Sequence, residues 1–222
     1  MPRALKVVVV VAVATFALST WALVKLVRLG DGRNRDRQDV STVTRPPPSL
    51  MFIPEFTLVD QDGRTVTRDA LQGRVTVMDF IFTHCPFVCP ILSERMSDAA
   101  AALKGTPVQF LSVSVDPERD TPEVLREYAK LHEADTKRWR FLTGDKAQVD
   151  AIVRDGLKFA LVEDPNTPIN LPGGGVMNNI IHPSWLILVG PDGDVFSFYR
   201  ASDEDHMRQL LVDARDLLKQ KR

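Results

Sequence analysis

The chain has 222 residues, 28 lysines and arginines against 29 aspartates and glutamates, a net charge of −1 and two cysteines. A near-neutral balance with no basic patch on its soluble part excludes nucleic-acid binding. Two cysteines limit covalent cross-linking to one disulfide, and residues 51–222 are of a size to build one core in one domain.

Residues 1–28 come first. Val7 to Val24 is an uncharged stretch of 18 residues, preceded by Arg3 and Lys6 and followed by Lys25 and Arg28. That length is close to the minimum for crossing a hydrocarbon core of about 30 Å, and no convincing small-x-small cleavage site follows. The expectation is a retained single transmembrane helix, a signal anchor. Its short basic start and apolar core point to a bacterial membrane rather than organelle import. Flanking charge alone, with Lys25, Arg28, Arg33, Arg35 and Arg37 after the segment, would leave the bulk of the chain in the cytoplasm. Long domains, however, translocate largely regardless of such charge. Residues 29–50 mix Asp31, Arg33, Arg35, Asp36, Arg37 and Asp39 and end in Pro46-Pro47-Pro48, which reads as a solvated linker with a stiff end.

From residue 51 the patterns become those of a folded domain. Phe56 to Val59 and Arg64 to Thr67 flank Asp60-Gln61-Asp62-Gly63, a hairpin signal. Val75 to Phe82 is β-branched and aromatic, as a buried strand would be, and runs into Thr83-His84-Cys85-Pro86-Phe87-Val88-Cys89-Pro90. Beyond it Ile91, Leu92, Met96, Ala99, Ala100 and Leu103 recur at helical spacing, and Pro90 suits a first helical turn. Both cysteines therefore fall on a strand-to-helix turn, where the helix dipole favours thiolate over thiol. Across a helical turn their side-chain bases would be roughly 5–6 Å apart. They could close a disulfide, hold one soft metal ion, or be inert buried thiols.

Val108 to Val115 is a second buried strand. Thr121 and Pro122 open a helix with Val124, Leu125, Tyr128 and Leu131 on one face. Trp139 to Leu142 is a short strand candidate, and Val149, Ile152 and Val153 mark a helix ending near Gly156. Residues 164–179, with three prolines and Gly173-Gly174-Gly175, predict a mobile surface loop. Trp185 to Val189 and Val195 to Tyr199 are joined by Gly190-Pro191-Asp192-Gly193, and a last helix starts near Asp203. This order is an α/β, thioredoxin-like arrangement with an added N-terminal β-hairpin. In such a fold His182, followed by Pro183 and a central strand, faces the cysteine turn. Two thiolates and an imidazole are a soft set that suits copper in either oxidation state. The other reading has His182 packed beside Pro183 and bonded to backbone.

Thr83-His84-Cys85-Pro86 and Val88-Cys89-Pro90, the segment Ser112 to Thr121 with Asp116-Pro117 and Asp120, and His182 ahead of Leu186 to Gly193 resemble the Sco/SenC family over residues 52 to 215. The resemblance implies a copper-binding, thioredoxin-like protein of cytochrome c oxidase assembly, with Cys85, Cys89 and His182 as metal ligands. It also implies a bacterial inner-membrane location with the soluble domain in the periplasm. The chain departs from the family at Ile180 and Ile181, where an aspartate usually precedes the ligand histidine.

Three functions follow. A metallochaperone would pass copper to the copper-bearing subunit of the oxidase, at its dinuclear CuA centre, with other periplasmic copper chaperones or thiol reductants as further partners. A thiol–disulfide oxidoreductase would attack through Cys85, the more exposed and more acidic of the two, and resolve through Cys89, leaving His182 dispensable. A copper or redox sensor would signal through the glycine-rich loop. His84 is read as a neighbour that tunes Cys85, Met177 as a hydrophobic contact, His132 and His206 as exposed, Asp116 and Asp120 as turn and cap residues, and Trp139 and Trp185 as core.

Overall fold

The computed structural model describes residues 51–220. The expected anchor (1–28) and linker (29–50) lie outside the described residues, and among those described no helix is long and apolar enough to cross a membrane.

A seven-stranded sheet carries the domain, in the order β2 (Thr65–Thr67), β1 (Thr57–Asp60), β5 (Trp139–Thr143), β4 (Gln109–Ser114), β3 (Thr76–Ile81), β8 (Trp185–Val189) and β9 (Val195–Arg200). Strand β3 (Thr76–Ile81) is buried along its whole length, as is β4 (Gln109–Ser114), so neither shows the alternation of a half-exposed strand. These two and β5 (Trp139–Thr143) are parallel. The helices α1 (Cys89–Ala102) and α2 (Pro122–Leu131) make the crossovers, and the Ser93 and Tyr128 hydroxyls join them at 2.8 Å. Leu92, Met96, Ala99 and Leu103 form the buried stripe of α1, whereas Ile91 is 45 % exposed. On α2 the Thr121 hydroxyl accepts from Val124 N–H, and Leu131, at its last turn, is solvent-exposed.

The hairpin of β1 (Thr57–Asp60) and β2 (Thr65–Thr67) adds to the far side of β5 through antiparallel pairing of β1. At the other side β8 (Trp185–Val189) runs antiparallel to β3, and β9 (Val195–Arg200) closes the sheet. The last helix, α4 (Glu204–Gln220), lies beside α1, with Arg95 paired to Glu204 and Arg215 donating to Ala102 O. Trp139 is core, stacked on Phe141; Trp185 is half-buried with Arg200 over its ring.

Residues 164–179 are not a mobile loop. They belong to a second sheet, the hairpin of β6 (Val162–Asn170) and β7 (Val176–Ile181). A two-stranded sheet consists of two edges, where prolines are tolerated, and a register shift between Asp164 and Ile169 spans Pro165 and Pro168. Gly173, Gly174 and Gly175 take φ of +88°, +99° and +97°, which supplies the reversal. His206 is also not exposed: it is buried in the first turn of α4, and its Nδ1 accepts from Arg200 N–H. His132 is half-buried against the Tyr128 ring.

The helix α3 (Lys146–Asp150) continues as a π turn (Ala151–Gly156). At Gly156 the incoming chain passes so closely that a Cβ would lie 2.6 Å from both Phe52 O and Pro54 Cδ. Gly156→Ala should therefore cost about 1–3 kcal/mol, measured by urea unfolding against wild type; an unchanged midpoint would refute this account of the glycine.

Candidate functional site

Strand β3 delivers the chain at its carboxyl end to the turn Phe82–Val88, and Cys85 N–H donates to Phe82 O at 3.1 Å. The helix begins at Cys89, not before it. Cys85 thus sits in the turn ahead of α1 and does not share a helical face with Cys89. Both are free thiols and nearly buried, Cys85 at 7 % exposure and Cys89 at 1 %. Phe87 between them is 57 % exposed, so the turn presents an apolar tip to solvent.

The antiparallel register of β8 on β3, Met78 opposite Ile187, sends the residues before β8 past the same end of β3. His182 arrives there. Its Nδ1 lies 3.0 Å from Pro183 O, and a carbonyl only accepts, so Nδ1 carries the proton. Its Nε2 lone pair is left facing Cys89 Sγ at 3.6 Å, with the ring edge-on to Phe82. The reading that has His182 bonded to backbone beside Pro183 holds, and that bond is what aims Nε2 at Cys89.

Buried polar groups hold the turn. The Asp120 carboxylate receives Thr83 N–H at 3.2 Å, the Thr83 hydroxyl at 2.5 Å and the Ser114 hydroxyl at 2.5 Å. Asp120 does not cap α2; it ties the start of the cysteine turn to the end of β4. Asp116 shapes its own turn, its carbonyl accepting from Arg119 and Asp120 N–H, while its carboxylate pairs with Arg119. His84 Nδ1 is 3.4 Å from the Thr83 hydroxyl. Met177 is 4 % exposed and lines a cleft of ≈ 320 Å³ with Asp116, Arg119 and Ile180, a hydrophobic contact as expected. Ile180 is buried and Ile181 exposed.

The two thiols differ. The Cys85 thiol is held down to about 4, because Cys89 donates a hydrogen bond to its thiolate and His182 adds to this, against the opposing effect of burial. Cys89 is pushed up, by that same bond to Cys85 and then by burial and the Cys85 charge. The expectation that both would be acidic therefore holds for Cys85 alone: a shared proton stays on Cys89. One residue escaped the sequence reading. Asp79, in the middle of β3, is fully buried, and burial pushes its carboxyl up to about 7. Its signal was there to be read, a lone acid inside an apolar strand.

Among the described residues no three His, Cys, Asp or Glu side chains already form a closed metal cluster. What exists is a formed Cys89–His182 contact with the Cys85 sulfur coupled to both. Two sulfurs and an imidazole lone pair are soft donors, and they fit copper better than hard cations. An acidic thiol beside a protonated one equally fits thiol–disulfide exchange.

A thioredoxin-like sheet with a Cys-x-x-x-Cys turn and a facing histidine defines a class of cysteine-pair proteins. Within it, the sequence profile of the SCO1/SenC family matches residues 45–218, and the chain belongs to that family. It is 32 % identical over 163 residues to the SCO1 protein homolog of Bacillus subtilis, covering 72 % of this chain and 79 % of that one. Among solved structures, BsSco superposes with a TM-score of 0.62 at 30 % identity, covering 77 % of this chain and 95 % of that one. BsSco is described as having a disulfide switch and as a member of the Sco family of cytochrome c oxidase assembly proteins. ScoI of Bradyrhizobium japonicum, solved with copper bound, superposes with a TM-score of 0.59 at 26 % identity, covering 76 % of this chain and 98 % of that one.

The folded-state value of Cys85 lies below that of an unfolded cysteine. Its thiolate therefore adds stability that is full above about 8.5 and is lost as pH falls towards about 4. Iodoacetamide should modify Cys85 and spare Cys89 at pH 6, as read by peptide mapping of the reduced chain. Equal labelling, or none below pH 8, would contradict the assignment.

Proposed function

We propose that this chain is a membrane-anchored copper metallochaperone that holds copper on Cys85, Cys89 and His182. It would deliver the ion to the copper-bearing subunit of cytochrome c oxidase, at the CuA centre. The observation that carries this reading is the convergence of two free thiols and an imidazole whose Nδ1–H is occupied by Pro183 O. The family supports it, since the ScoI relative is a copper-bound structure and BsSco is assigned to oxidase assembly. Copper here is cargo. Cys85, already a thiolate, offers the first donor, and Cys89 gives up its proton on binding; release proceeds as the partner's thiolates displace these donors one at a time. The uncharged Val7 to Val24 stretch supports a bacterial inner-membrane anchor with the soluble domain in the periplasm, and the charged linker supports reach from it.

The thiol asymmetry favours a second reading, reduction of a partner disulfide, including that of the oxidase copper site. The Cys85 thiolate would attack one substrate sulfur and expel the other as a thiolate, giving a mixed disulfide. Cys89, losing its proton, would then attack Cys85 and release the second substrate thiol. Two electrons pass to the substrate and a Cys85–Cys89 disulfide remains.

Copper titration of the reduced full chain separates the two. Wild type should bind copper stoichiometrically, and Cys85→Ser, Cys89→Ser and His182→Ala should each weaken it by at least the roughly 10–100-fold that loss of a supporting partner costs. If His182→Ala binds as well as wild type while Cys85→Ser loses disulfide exchange, the protein is a thiol oxidoreductase and the copper site is wrong.

A further inference from the structure

Asp79 lies between Met78 and Phe80, all three wholly buried, and neither of its carboxyl oxygens has a hydrogen-bond partner among the described residues. Ser112, its register partner on β4, stands near enough to soften its environment. That hydroxyl, which receives Trp139 Nε1–H at 2.9 Å, satisfies neither oxygen. A buried acid without partners costs stability, and an apolar residue would fill the strand more cheaply. The groups that feel its charge come from three other elements: His182 from the segment before β8, Cys89 from α1 and Tyr128 from α2. Two of these three are donors of the proposed copper site. The chain neighbours of His182, namely Ile180, Ile181 and Pro183, carry no charge that could act in its place.

We propose that Asp79 supplies negative charge to the copper site and thereby biases it towards cupric over cuprous ion. The inference rests on the copper reading above. With both cysteines as thiolates and His182 neutral, the donors carry two negative charges, so cupric ion leaves the site neutral and cuprous ion leaves it at −1. An ionised Asp79 adds −1 to each, and its attraction for a dication is twice that for a monocation. The arriving dication supplies the opposite charge that burial otherwise denies this carboxyl. With an effective dielectric constant of about 20, one such charge acting over roughly 7–10 Å shifts the ratio of the two affinities on the order of tenfold to a hundredfold. Asp79 need not touch the ion to do this.

The test compares wild type, Asp79→Asn and Asp79→Ser as reduced full chains under anaerobic conditions at pH 7.5. Cupric and cuprous ions are each titrated against chelators of known affinity. Both variants should still bind copper stoichiometrically, with the cupric-to-cuprous affinity ratio lowered about tenfold or more. In the metal-free state they should melt no earlier than wild type, because an orphaned acid has been removed. An unchanged ratio in either variant that melts cooperatively would overturn the inference alone. Earlier melting with an unchanged ratio would make Asp79 a structural residue only. Failure of wild type to bind copper at all would overturn the copper reading and this inference with it.

Discussion

The antiparallel pairing of β8 with β3 is the constraint on which the site depends. Cysteines leave β3 at its carboxyl end, and a parallel neighbour would bring its preceding residues to the opposite end of the sheet. Because β8 runs the other way, His182 reaches Cys89 to within 3.6 Å from 93 positions along the chain. The Pro183 carbonyl then fixes the tautomer, so one main-chain acceptor decides which ring nitrogen faces the sulfurs. Chemistry and topology meet at that contact.

Around it the chain accepts several buried polar groups, and they divide by whether they are satisfied. Asp120 is wholly buried but takes three hydrogen bonds, from Thr83 twice and Ser114 once, and so fixes the turn in one geometry. Gln109 is similarly matched, donating to Ala70 O and to the Thr76 hydroxyl. Asp79 is the exception. A satisfied carboxylate specifies structure, whereas an orphaned one is a cost that structure alone does not repay. Its charge acts on His182 and Cys89, and the proposed bias towards cupric ion gives that cost a use.

Much of the fold could be read in the sequence because its signals are local. Continuous apolar runs marked β3 and β4, Thr121-Pro122 marked the start of α2, and the Asp60 to Gly63 turn marked the first hairpin. The cysteine turn and His182 were legible as well, since residue type and spacing carry them. What failed was non-local. Prolines and glycines in residues 164–179 signalled a loop because a sequence does not show that a strand will have two free edges. His206 looked exposed on a polar helix, yet the end of β9 covers it and donates Arg200 N–H to it. Cys85 was legible as the more acidic thiol, but the rise at Cys89 was not, for a helix dipole acts on both cysteines, whereas a shared proton can sit on only one.

The measurement that bears most directly on the central claim is X-ray absorption at the copper edge on the reduced, copper-loaded chain. The account predicts two sulfur donors and one imidazole nitrogen on a single copper ion, with the nitrogen lost in His182→Ala. A shell of oxygen and nitrogen without sulfur, or a nitrogen contribution unchanged by His182→Ala, would contradict it.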